Sequence, residues 1–210
     1  MNGYFKLGDE YADEIEDCPI PNEWWSRHYE YPWALQYAQG IVADMGAGWM
    51  GRPFKDMLAK RAETVYAFDL DKRLLDLPVA HNVKLIAQDF THNMTRYHSL
   101  FDRIFCISVL EDVPDICQAL TSFRKCLAPD GKIVLTMDCQ YDIGRPLGKY
   151  PAVDMEKFIF AIPHAGLQFA EDTDFDKWNV VYHSDYNLCV FHCVLEAVDE
   201  KDDYMQTIGF

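Results

Sequence analysis

The run Ile41-Val42-Ala43-Asp44-Met45-Gly46-Ala47-Gly48-Trp49-Met50-Gly51, followed by Val65-Tyr66-Ala67-Phe68-Asp69, restricts this chain more than any other stretch. It reads as a buried strand, a tight glycine turn opening a helix, and a second buried strand that ends in a carboxylate. Glycine lets backbone approach a ligand closely, a helix N-terminus offers free N–H donors, and a strand-end carboxylate can grip a ribose diol. The three parts in that order point to a nucleoside-containing cofactor on an open α/β sheet.

The remainder of the chain keeps the same rhythm. Short apolar runs at residues 41–45, 64–69, 83–88, 103–108 and 132–138 alternate with helical spacing. Several runs, such as Ile104-Phe105-Cys106-Ile107, are apolar on both faces, as central strands covered on each side must be. One helix is expected from Gly51-Arg52-Pro53 to Arg61. Another runs from Val113-Pro114-Asp115 until Pro129-Asp130-Gly131 stops it. The Gly/Pro-rich stretch 139–151 is long enough for a lid, and a helix at 152–164 and strands at 168–172 and 188–197 follow. Residues 1–40 are aromatic and acidic with no obvious strand, and read as one or two helices over the sheet's edge or mouth. The expected organisation is one domain over 1–198, comprising a cap (1–39), a cofactor-binding core (40–138) and a lid loop, helix and final strands (139–198). A loosely held tail occupies 199–210. This βαβ order predicts a doubly wound, mostly parallel α/β sheet with right-handed crossovers.

Charge excludes some partners. Nineteen Lys and Arg stand against 34 Asp and Glu, a formal charge of −15, which repels nucleic acid and anionic lipid. No apolar run approaches membrane-spanning length. The seven cysteines contain no CxxC pair, and Cys189 and Cys193 on one strand sit too far apart for a disulfide. Reduced thiols in a cytoplasmic protein are the expectation.

Which nucleoside is the next question. Gly46-x-Gly48-x-x-Gly51 with Asp69 downstream fits a dinucleotide fingerprint, which leaves a nicotinamide-dependent oxidoreductase as an alternative. Asp44, however, stands where such fingerprints usually carry an apolar residue. A further carboxylate, Asp89 before Phe90, ends the third run, and the fourth enters Ser108-Val109-Leu110-Glu111-Asp112-Val113-Pro114. With Leu127-Ala128-Pro129-Asp130-Gly131-Lys132-Ile133-Val134-Leu135, these blocks stand in order across residues 40–138. There the chain resembles the class I S-adenosylmethionine-dependent methyltransferases, especially their small-molecule (type 11) branch. The resemblance implies a seven-stranded Rossmann-like sheet with a C-terminal antiparallel hairpin. It departs at the third glycine, displaced to Gly51 behind Trp49 and Met50.

The resemblance implies S-adenosylmethionine as cofactor and S-adenosylhomocysteine as product. Gly46, Ala47 and Gly48 would pass beside the methionyl portion, with Asp44 helping to hold its amino-acid end. Asp69, followed by Leu70, would take the ribose hydroxyls. Asp89 and Phe90 would meet the adenine, and Ser108 and Val109 would lie under the sulfonium. Arg27 is either a fork for the cofactor carboxylate or a surface ion pair. Trp49 is either a wall of the cofactor site or packing against the N-terminal segment, and the aromatic cluster 24–33 either lines a pocket or fills a cap core. The acceptor would be a small molecule offering an oxygen, nitrogen or carbon nucleophile, such as a carbohydrate or secondary-metabolite intermediate. Asp112, Asp138 and His183 are candidates to take its proton. Glu111 and Asp112 otherwise read as a solvated turn, and His192 as a packed, hydrogen-bonded strand residue. The histidines show no metal-ligand spacing, so no metal is expected. A non-catalytic, S-adenosylmethionine-binding regulatory subunit is the other alternative, and the chain would be a monomer or homodimer.

Overall fold

Strands apolar on both faces need helices above and below them, and this chain supplies both. The computed structural model describes residues 1–49 and 53–198. From the N-terminus its elements are β1 (Gly3–Tyr4), β2 (Glu14–Ile15), β3 (Cys18–Pro19), α1 (Arg27–Leu35), β4 (Ile41–Met45), α2 (Phe54–Ala59), β5 (Thr64–Asp69), β6 (Val83–Ala87), β7 (Phe101–Ile107), α3 (Ile116–Cys126), β8 (Leu127–Gln140), α4 (Met155–His164), β9 (Leu167–Phe169), β10 (Tyr182–His183) and β11 (Leu188–Ala197). Gly51 and the 199–210 tail lie outside the described residues.

The main path of the sheet is β1-β11-β8-β7-β4-β5-β6. β4 to β8 pair in parallel, and β11 lies antiparallel to β8. This is the expected doubly wound sheet, to which β9 and β10 add short antiparallel pairings on β11. Alternation sends Val42, Val65, Ala67, Phe105 and Val134 to the face shared with Tyr31, Leu35 and Met57 of α1 and α2. Ala43, Met45, Phe68, Ile104 and Ile133 pack with Leu120, Phe123, Phe158 and Ile162 of α3 and α4. Strand order reverses at β4, which has β5 on one side and β7 on the other. In open α/β sheets the crevice beyond the strand ends at such a point is where ligands bind.

Several boundaries differ from the sequence reading; the strand expected at 168–172 is the shorter Leu167–Phe169, and the helix expected to reach Arg61 is Phe54–Ala59. The Pro129-Asp130-Gly131 turn does not separate helix from strand. β8 begins at Leu127, and residues 128–131 bulge out where its pairing with β7 jumps from Phe101–Leu127 to Arg103–Lys132, with Asp130 at φ 59°. α4 starts at Met155 rather than 152, because Val153 bridges to Cys139 and Asp154 caps the helix. The N-terminal forty residues hold β1, the β2–β3 hairpin and a single helix, where only helices were expected.

That segment is tied down by backbone groups rather than periodicity. Pro32 lies inside α1 and has no N–H for the carbonyl of His28. Ala12 donates to that carbonyl instead, at 2.9 Å, while the His28 ring bonds the Ala12 carbonyl at 3.0 Å. Asn2, 1% exposed, ties the segment 171–173 that follows β9 to β11. Its side-chain amide donates to the Glu171 carbonyl and Thr173 Oγ1, and its Oδ1 accepts the buried Val194 N–H at 2.9 Å. Asn2→Ala strands that buried donor, and a loss of about 2–3 kcal/mol is expected in urea unfolding.

Candidate functional site

The turn after β4 and the turn after β7 meet across the reversal point. Gly46 and Gly48 hold φ of +82° and +70°, a region open to glycine and strained for other residues. The Gly46 and Ala47 N–H groups both reach the Phe68 carbonyl at 2.9 Å. A Cβ at Gly46 would stand 2.5 Å from a Val109 methyl, so glycine is required by contact as well as by torsion. Asp69 closes the other side: Oδ2 accepts the Gly48 N–H and Oδ1 the Asp71 N–H, each at 2.8 Å. Gly46, Gly48, Trp49, Asp69, Ser108, Val109 and Asp112 line one cleft of about 190 Å³. The Arg73 guanidinium lies 3.4 Å from the centre of the Trp49 ring.

A second cavity of about 580 Å³ adjoins it, sharing Ser108 and Asp112. Its walls include Trp24, Trp25, Arg27, Glu111, Asp138, Tyr150, His183 and Tyr186. Behind it lies Glu30 of α1, fully buried. Ser108 Oγ donates to Glu30 Oε2 at 3.0 Å, Thr136 Oγ1 donates to the same oxygen at 2.7 Å, and Arg27 Nη1 meets Oε1 at 2.7 Å. Ser108 has a left-handed φ of 45°, held by its N–H bonds to the carbonyl and hydroxyl of Thr136. Strain of this kind persists where the surroundings over-determine it.

This arrangement sets the local electrostatics. Burial, then the Glu30 charge, raises Asp138 to about 7, with Arg27 opposing. Burial and then Asp138 hold Glu111 well above the ordinary carboxylate range. Burial opposes the Arg27 charge, but Glu30 first among its neighbours raises its pKa overall. Three buried polar atoms of residues that line the cavity have no hydrogen-bond partner among the described residues: Glu111 Oε2, Asp138 Oδ1 and His183 Nδ1. His183 stacks on Tyr186 at 4.1 Å and meets Trp25 edge-on at 5.6 Å.

The structure therefore gathers Asp112, Asp138 and His183 at one cavity, and Gly46, Gly48, Asp69, Ser108 and Val109 at the adjoining cleft. Trp49 faces that cleft, and Trp24 and Trp25 face the larger cavity. The lining of the cleft does not include the other residues named from the sequence. Asp44 is buried within β4 opposite Ala67 and Phe105, Ala47 is buried, and Leu70 is 72% exposed. Phe90 is buried against Phe123. Asp89 accepts from the Thr91 N–H at 2.8 Å and pairs with His92 at 3.1 Å. Arg27 lines the larger cavity in an ion pair with buried Glu30, so the pair weighed for the surface is not a surface one. The solvated-turn reading of Glu111 is corrected by its buried, unpartnered oxygen. His192 is packed between Phe5 and Trp33 as expected, but its Nδ1 finds no partner among the described residues. Glu30 gave no sequence signal beyond an acid among aromatics in a helix with a polar face.

Residues 43–135 match the family model for methyltransferase domains. Over that stretch, a little under half of its length, the chain is similar to methyltransferase domains. Two ubiquinone biosynthesis O-methyltransferases are similar to it. That of Actinobacillus pleuropneumoniae is 31% identical over 46% of each chain. That of Erwinia tasmaniensis is 22% identical over 54% of this chain and 55% of its own. The chain thus spans about half the length of these curated relatives. In fold it resembles the [4+2]-cyclase SpnF (TM-score 0.66, 12% identity, covering 94% of this chain and 87% of that one). It also resembles the geranyl diphosphate C-methyltransferase of Streptomyces coelicolor, solved with S-adenosylhomocysteine (TM-score 0.62, 11% identity, 82% and 80%). The match over residues 43–135 favours the methyltransferase reading over the oxidoreductase alternative.

The Gly46 contact is open to a direct check. Gly46→Ala combines left-handed strain with a clash on Val109, for an expected loss of about 2–4 kcal/mol. Val109→Ala in the same chain should recover part of it, read as a coupling in thermal unfolding.

Proposed function

We propose that this chain transfers the methyl group of S-adenosylmethionine to a small organic acceptor seated in the 580 Å³ cavity. The observation that carries this reading is the shared boundary of the two pockets at Ser108 and Asp112, which puts an acceptor beside the donor site. The residues present suit the cofactor: a glycine turn whose Gly46 has no room for a Cβ, and an acid at the end of β5 on the same cleft. In this reading Asp69 grips the ribose diol through its two oxygens. The cofactor supplies a methyl group already activated on a sulfonium, so the protein's task is to align the acceptor, exclude water and accept a proton. Trp24, Trp25, Tyr150 and Tyr186 wall the acceptor off from water. Asp138 takes the proton, with Asp112 and His183 lining the same cavity. The seven free thiols, five of them buried, fit a reducing cytoplasm. Among the described residues no helix is long and apolar enough to cross a membrane.

Two outcomes test this. Asp69→Ala should weaken S-adenosylhomocysteine binding by about 30- to 150-fold in calorimetry, the loss of charge-assisted bonds to the diol. Unchanged affinity would remove the ribose assignment.

The rate of methyl transfer should rise with pH to a plateau through an apparent pKa of about 7 as Asp138 ionises. Stability runs the opposite way. A carboxyl whose pKa is raised on folding binds its proton more tightly folded than unfolded, so stability falls as pH climbs from 3.8 towards 7. Asp138→Asn should abolish the acid limb of the rate profile and flatten that decline in denaturant midpoints.

A further inference from the structure

The second cavity has more negative groups facing it than anything in the chain neutralises. Glu23, Glu111, Asp112 and Asp138 line it, and the cation on its wall, Arg27, is already engaged by Glu30. One carboxyl oxygen each of Glu111 and Asp138, two of the residues that line it, is buried without a hydrogen-bond partner among the described residues. Buried carboxylates are expected to be paired with a cation or to bind a proton instead. The other walls are aromatic, with the indoles of Trp24 and Trp25 and the phenols of Tyr150 and Tyr186. Aromatic faces attract cations, and two of these rings already do so. The Lys149 ammonium stands 4.7 Å from the centre of Tyr150 and 5.8 Å from that of Tyr186. Among the described residues no group of three His, Cys, Asp or Glu is placed to hold a metal ion.

From the unpartnered carboxylate oxygens of residues that line an aromatic-walled cavity we infer that the acceptor is a cationic amine, methylated on nitrogen. This rests on the methyl-transfer reading and names its substrate class. The bound ammonium pairs with Glu111 and Asp138 while its carbon skeleton lies against Trp24, Trp25 and Tyr186. One ammonium proton passes to ionised Asp138 and frees the nitrogen lone pair. That lone pair forms the N–C bond to the methyl carbon as the C–S electron pair leaves to sulfur. The products are an N-methylammonium, S-adenosylhomocysteine and a protonated Asp138, which then returns its proton to water. The raised pKa values of Asp138 and Glu111 agree with this, because they belong to a cavity without its cation. The groups facing the ammonium are Glu23, Arg27, Glu111, Asp112, Asp138, Tyr150, His183 and Tyr186, with Glu30 behind them.

Three probes of one skeleton separate the possibilities: phenethylamine, phenethyl alcohol and phenylacetate, titrated calorimetrically into the S-adenosylhomocysteine complex. S-adenosylhomocysteine binding is measured first, so failure of the cofactor reading shows before any acceptor is added. The amine is expected to bind at least about tenfold more tightly than the alcohol, with phenylacetate weakest. Proton release on binding the amine is expected, read as a dependence of the heat on buffer ionisation. Glu111→Gln and Asp138→Asn, each checked for folding by retained S-adenosylhomocysteine affinity, should cut the preference for amine over alcohol to about twofold or less. Equal binding of amine and alcohol would overturn the proposal, as would no amine binding at millimolar concentration or an undiminished preference in both variants. The cofactor result would stand in each case.

Discussion

The buried Glu30 carboxylate is the interaction on which the site depends. It comes from the N-terminal helix, yet its partners are Ser108 after β7, Thr136 in β8 and Arg27 one helical turn away. Bringing such a charge out of water is costly unless it is paired and fully hydrogen-bonded. Glu30 meets that condition with two hydroxyls and a guanidinium. The cap and the strand ends must therefore arrive in register. The same bonds help hold Ser108 in its left-handed torsion and orient the loop that carries Val109 against Gly46.

The charge acts twice. Through Ser108 and Thr136 it fixes geometry, and across a short distance it raises Asp138. A group that titrates near neutrality can exchange protons with an acceptor without a large energetic mismatch. An apolar residue at position 30 would serve packing equally well, but it would lower neither the cost of the Arg27 charge nor the acidity of Asp138. The larger cavity thus takes part of its chemical character, beyond burial itself, from a residue that is not among its walls.

The central strands were legible because each carries its own evidence. Residues 41–45, 64–69 and 188–197 are dense in apolar and β-branched side chains, and their limits match the strands observed. The glycine turn and Asp69 were equally plain, since torsion and close approach leave few substitutes. The sequence hid what depends on distant partners. β1 is two residues long and exists only by pairing with His192 and Phe191. The β8 bulge needs the opposing spacing of β7 to be seen. Glu111 read as solvated because nothing in its chain neighbours signals that its Oε2 is buried. Asn187 is a further case: its side chain bonds the Asp142 and Arg145 carbonyls and so sets that loop, with no local signal for the role.

The outer side of β11 is tiled end to end by β9, β1 and β10, each too short to persist alone. No long row of backbone donors is left there to recruit a foreign strand. The arrangement also has a temporal cost. β1 and Asn2 are made long before Val190, His192 and Val194 and lack these partners until that strand follows.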